Sequence, residues 1–97
     1  MADKASNSDP VYFYLVKLTP LGRVQSDKVI EDDHRRVSDY INLTLHGSCK
    51  LYSVPGPYDY VSKVEDIDGL NAFKVKHEIE RSGFAEAMLL PGYPHMK

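Results

Sequence analysis

Residues 11–20 carry apolar or aromatic side chains in both phases of a two-residue repeat: Val11, Phe13 and Leu15 alternate with Tyr12, Tyr14 and Val16. Successive side chains of an extended strand point to opposite faces, so this pattern predicts a strand covered on both sides, central in a sheet. Leu21-Gly22-Arg23 turns the chain. Residues 29–46 then change to a helical period, with Val37, Ile41 and Leu45 four apart and Tyr40 and Thr44 beside them. Asp32 or Asp33 can cap the start of its regular part, and Gly47 can stop it. Residues 50–54 read as a second strand, ended by Pro55, which has no amide hydrogen to give a ladder. A third strand over 58–65 alternates Tyr58, Tyr60, Ser62 and Val64 with Asp59, Val61, Lys63 and Glu65. The next helix starts within 66–69, with Asp66 or Asp68 as its cap. It carries the stripe Ala72, Val75 and Ile79, widened by Leu70 and Phe73, and ends at Ser82-Gly83. Residues 84–90 form the last strand, and Pro91-Gly92-Tyr93-Pro94 leads into a short tail.

Strand–helix–strand twice over is the ferredoxin-like βαββαβ order, an α+β fold with a four-stranded antiparallel sheet. Two helices cover one face of that sheet. The other displays either Tyr12 and Tyr14 or their neighbours Phe13 and Leu15, an apolar patch larger than isolated domains leave in water. Stacking against the sheet of a second copy removes it from solvent. A homodimer, with higher assembly open, is therefore expected, and Phe13 and Tyr14 are the interface candidates. A chain of 97 residues has room for one core. The expected division is a leader over 1–10, a ferredoxin-like domain over 11–92 and a C-terminal tail over 93–97.

Charge narrows the partners. Twelve basic and fourteen acidic residues give a net charge of −2 and are interspersed. Arg35-Arg36 is flanked by Glu31-Asp32-Asp33 and by Asp39, so no basic stripe forms, which argues against direct nucleic-acid binding. No apolar run reaches the length of a membrane span, and residues 1–10 lack the apolar core of a secretory signal. The expectation is a cytoplasmic protein without a membrane partner. Cys49, the single cysteine, cannot form an internal disulfide and reads as an ordinary strand residue.

Candidate chemistry is sparse. Five of the seven tyrosines (Tyr12, Tyr14, Tyr52, Tyr58 and Tyr60) fall on predicted strands. A buried phenol oxygen needs a partner, which suits interfaces and ligand-lined clefts. His34, His46, His77 and His95 lack metal-ligand spacing, and Glu65-Asp66-x-Asp68 lacks the full oxygen set of a calcium loop. Neither a phosphate-cradling glycine loop nor a dinucleotide fingerprint is present, so no cofactor and no metal are expected. For an enzyme, His34 and Arg35 are the first candidates, because a cleft can open between the start of the first helix and the sheet. In the rigid link Pro55-Gly56-Pro57, Gly56 can take positive φ. Asp59 either pins this turn or faces a pocket or partner.

The segments Leu51-Tyr52, Gly56-Pro57-Tyr58-Asp59-Tyr60-Val61 and Val64-Glu65 resemble two groups. One is the GYD-type small proteins and the other the Lrp/AsnC-type effector-binding domain, both of the dimeric α+β barrel superfamily. Val16-Lys17-Leu18-Thr19-Pro20-Leu21-Gly22 is similar to the GYD pattern as well. The resemblance spans residues 11–92 and implies a dimeric α+β barrel. On the regulator side it implies small molecules such as amino acids bound near subunit interfaces, at Gly56, Tyr58 and Asp59. Pro57 departs from that picture by removing one backbone donor. With no helix-turn-helix before residue 11, a self-contained DNA-binding regulator is not expected, and modulation of another protein stays open. The expected function is thus a small-molecule-binding or regulatory stand-alone domain acting as a homodimer. The alternative is a small dimeric α+β barrel enzyme of the cofactor-independent monooxygenase, lyase or isomerase type, with its cleft between sheet and helices.

Overall fold

The computed structural model describes residues 10–93. Strand β1 (Val11–Leu18) leads through Thr19 into the single helical turn α1 (Pro20–Arg23). Helix α2 (Asp27–Asp39) continues into a π-helical turn, Tyr40–Thr44. Strands β2 (Ser48–Ser53) and β3 (Tyr60–Glu65), helix α3 (Gly69–Glu80) and strand β4 (Ala85–Gly92) complete the domain. The sheet runs β2-β3-β1-β4, with every neighbouring pair antiparallel. This is the ferredoxin-like arrangement that the element order predicts.

The sheet is open, with β2 and β4 as separate edges, and does not close into a barrel. The barrel implied by the resemblance is corrected on this point. Among the described residues, β2 pairs only with β3 and β4 only with β1, so the two edges do not meet to close a barrel. The β4 edge is also blunted. Glu80 Oε2 accepts the outward-pointing amide of Ala87 at 3.0 Å, and Pro91 has no amide to offer.

Register sorts the side chains. Tyr14 lies between Ser62 and Leu89, and Val16 between Tyr60 and Ala87, all on the helix-covered face. Leu15 lies between Val61 and Met88, and Phe13 between Lys63 and Leu90, on the open face. The core under the helices contains Tyr12, Tyr14, Val16, Val64, Val37, Ile41, Ala72, Val75 and Ile79. Tyr14 is fully buried, and its hydroxyl donates to the Ala72 carbonyl at 2.7 Å, tying β1 to α3. Burying a phenol this way satisfies its polar end and keeps the ring in the core.

Helix ends differ from expectation. Ser26, not Asp32 or Asp33, caps α2: its Oγ accepts from Val29 N at 3.3 Å. The two aspartates lie within the helix and pair with Arg35 and Arg36. Asp68 caps α3, accepting from Asn71 N at 2.8 Å. At the end of the first helix, Leu45 N reaches back to Tyr40 O and Gly47 N to Ile41 O, while His46 takes a φ of 58°. Leu70 and Phe73 do not widen the buried stripe of α3; both are exposed.

One glycine is required by packing. Thr19 N and Thr19 Oγ1 donate to the carbonyls of Phe84 and Gly83, drawing α1 onto the entry to β4. Gly22 meets the Phe84 carbonyl there, and a Cβ on it would overlap that oxygen. Gly22→Ala should therefore lower stability by about 1–3 kcal/mol through overpacking. Urea denaturation checks this, and an unchanged midpoint would contradict the close approach.

Candidate functional site

Between α2 and the helix-covered face of the sheet lies a cleft of about 400 Å³, within the range of small-molecule sites. Its floor is Val16, Cys49, Leu51, Ser62 and Ala85 from the four strands. Asp33, His34, Arg35, Val37 and Ser38 line it from α2, and Ile79 from α3. The space follows from the side chains that α2 carries. Ile30 and Val37 of α2 and Ile41 of the π-turn are buried, whereas His34 and Ser38 are polar and leave the floor partly uncovered.

A charged clamp holds α2 over this gap. Arg36 Nη1 donates to Glu78 Oε1 at 2.7 Å and Nη2 to the Glu78 carbonyl at 2.7 Å, crossing to α3. Arg36 Nη2 also donates to Asp33 Oδ1 at 3.0 Å, and Ser82 Oγ donates to Asp33 Oδ2 at 3.2 Å. Both oxygens of Asp33 are thereby engaged, and its charge is matched by Arg36.

Apart from Arg35, whose guanidinium is largely exposed, the remaining polar groups of the lining are neutral at neutral pH. His34 packs edge-on against Tyr60 with ring centroids 4.5 Å apart, and burial lowers its pKa against the opposing fields of Asp33 and Glu31. Cys49 Sγ and Ser62 Oγ share a hydrogen bond of 3.3 Å. Burial raises the thiol pKa, outweighing the bond from Ser62, so the sulfur stays protonated. The cleft therefore combines an apolar wall, a neutral imidazole, a thiol and hydroxyls.

His34 and Arg35, the two residues singled out for an enzyme, both line this cleft. Arg35 is largely exposed and pairs with Asp32 at 3.6 Å. Gly56, Tyr58 and Asp59 do not line it. Gly56 is exposed with a φ of 106°. Asp59 Oδ2 accepts from Leu18 N at 2.8 Å and Arg23 Nη2 at 3.0 Å, so its carboxylate pins the β2–β3 loop to β1 and α1. Phe13 lies on the open sheet face. Tyr14 is on the opposite face and wholly buried, so its place as an interface candidate is corrected: adjacent strand residues cannot share a face. His46 and His77 are exposed, and His95 lies outside the described residues.

Sequence reasoning passed over Cys49, Ser62, Val37 and Ser38 as site residues. Ser62 had one signal, a small polar residue between Tyr60 and Val64 in the phase of β3 that faces the helices. A second, more open hollow of about 580 Å³ lies beside α3 and β4. Phe73 and Tyr93 in its lining are exposed, and its Lys76 is paired with Glu80 at 3.0 Å. Its lining also includes the buried Tyr12. Among the described residues, no cluster of three metal-ligating side chains forms, and no helix is long and apolar enough to cross a membrane.

Comparison with protein families, with curated proteins and with solved structures finds no match for this chain. Together with the open sheet, this overturns assignment to the dimeric α+β barrel superfamily, including the GYD-type and Lrp/AsnC-type groups. The short matching segments lie at the β1–α1 junction and along β2, the β2–β3 loop and β3, where prolines, glycines and Asp59 meet local backbone needs. What stands is a small α+β domain with a four-stranded antiparallel sheet and three helices.

Two outcomes follow from the geometry. Arg36→Met should cost about 2 kcal/mol, because it leaves Glu78 and Asp33 without their shared cation. Amide hydrogen exchange along α2 should accelerate, and unchanged exchange would contradict the clamp. For His34, the folded state lowers the pKa, so the unfolded chain takes up the proton first as pH falls. The associated stability is complete above the usual value of about 6.5 and is lost as pH falls through the depressed folded value. His34→Gln should flatten the stability profile between about pH 7 and 5. A profile as steep as the parent's would place the titration elsewhere.

Proposed function

We propose that this chain is a small-molecule-binding domain that works as a homodimer in a regulatory role. The observation that carries the reading is the cleft between α2 and the sheet. It offers a mainly apolar wall with a few convergent polar groups, the composition expected of a ligand site. Binding is favoured over turnover because Cys49, the strongest potential nucleophile in the lining, is held as the thiol. The bar across to α3 gives a regulatory role its physical basis: a ligand under α2 meets a helix fastened through Arg36, and its occupancy bears on both helices.

The homodimer draws on the other face of the sheet. The row Tyr52–Val61–Leu15–Met88 crosses all four strands, with Phe13 and Leu90 beside it. Tyr52, Met88 and Leu90 are each more than two-fifths exposed. Lys17 and Glu86 stand opposite one another in register on this face at one end, and Lys50 and Lys63 lie on the other side of the row. A self-complementary pairing of two such faces buries on the order of 1,000 Å², near the lower bound for a specific interface.

Ser38→Trp, which fills the cleft from α2, is the test of the binding site. Compounds that raise the melting temperature of the parent should lose their effect in this variant; an undiminished effect would contradict the cleft as the site. For the partner, sedimentation velocity should give a dimer for the parent and a monomer for Leu15→Glu. A monomeric parent, or a dimer indifferent to a charge at this position, would contradict the face-to-face contact.

A further inference from the structure

We infer that the α2 cleft takes small uncharged molecules of one or two rings that carry a hydrogen-bonding oxygen, seated with that oxygen against the Ser62 hydroxyl. This rests on the reading of the cleft as a binding site and adds the class of ligand. Ser62 is 6% exposed and lies on the cleft floor. A serine hydroxyl can donate once and accept twice. Among the described residues its side chain has one hydrogen-bond partner, the sulfur of Cys49 at 3.3 Å, and sulfur is a weak one. A buried hydroxyl with spare capacity beside an open apolar space is a ready anchor for a ligand oxygen.

Charge sets the other half of the class. Asp33, the carboxylate of the lining, already accepts from Arg36 and Ser82, so it has no unmatched charge for a ligand cation. The Arg35 guanidinium is largely exposed and already lies beside Asp32, so it is screened by water and offers a ligand anion little at the floor. Val16, Val37, Ile79 and Ala85 complete an apolar surround. A charged group carried to that depth would lose its hydration without gaining a partner. A volume of about 400 Å³ exceeds the roughly 150 Å³ that admits benzene, which sets the size at one or two rings.

The test compares three probes of one shape at pH 7: 2-naphthol, which is uncharged, 2-naphthoate, and 2-naphthylmethylammonium. Binding is followed through the amide resonances of His34, Val37, Cys49 and Ser62. The expected result is that 2-naphthol shifts these resonances with an affinity about tenfold or more above either charged probe. Ser62→Ala should weaken 2-naphthol several-fold and leave the charged probes unchanged, a loss of selectivity that mere loosening of the fold would not produce. The comparison on the unaltered protein decides the matter even if that variant folds poorly. Preferred or equal binding of 2-naphthoate overturns the inference in favour of Arg35, and the same result for the ammonium probe overturns it in favour of Asp33. In both cases the cleft remains a binding site. If no probe moves these resonances, the binding reading falls and the ligand class with it.

Discussion

The guanidinium of Arg36 is the constraint on which the cleft depends. It reaches from α2 to both the side chain and the backbone carbonyl of Glu78 on α3, and it is steadied by Asp33 one turn earlier. Planar, multidentate donation of this kind suits arginine and would not survive exchange for lysine. Without it, Val37 would be left as the apolar contact holding this stretch of α2 to the core. The hydrophobic attachments of the helix are Ile30, Val37 and Ile41 of the following π-turn, and the cleft opens beside Val37. A polar clamp thus does what a continuous apolar stripe does in an ordinary two-layer domain, and it leaves room under the helix.

The same sheet consequently has two faces of different character. On one, Tyr14 and Val64 pack under the helices, and Ser62 is the small polar interruption beside the cleft. On the other, aromatic and aliphatic side chains stand in register, with no helix above them among the described residues. The β1 sequence encodes both at once, since its two phases are each apolar. Ligand capture through one face and pairing through the other would couple at β1 and β3, the two central strands that contribute side chains to both.

Much of this architecture is legible in the residues. The doubled phase of β1, the period of Val37 and Ile41, the stripe Ala72–Val75–Ile79 and the break at Pro55 specify the element order directly. The cap of α2 was obscured because Asp32 and Asp33 satisfy the same rule as Ser26; their nearby arginines claim them instead. The presence of His34 and Arg35 beside a cleft follows from the helix entering over the sheet. Cys49 becomes a site residue only through the register of β2 on β3, which sets it beside Ser62 and which no local pattern displays. Asp59 shows the converse. Its neighbourhood of prolines and glycine resembles a binding hairpin, yet its carboxylate is taken up by Leu18 and Arg23. The barrel failed as an expectation because segments that set local turns carry little information about how sheet edges meet.

The most direct measurement is a crystal structure of the protein soaked in a cocktail of small neutral fragments at high concentration. Fragment density is expected between α2 and the sheet, in contact with Ser62 and Val37, with the Arg36–Glu78 clamp intact. Fragments confined to the open sheet face or to the hollow beside Phe73 and Tyr93, with the α2 cleft empty or collapsed, would contradict it.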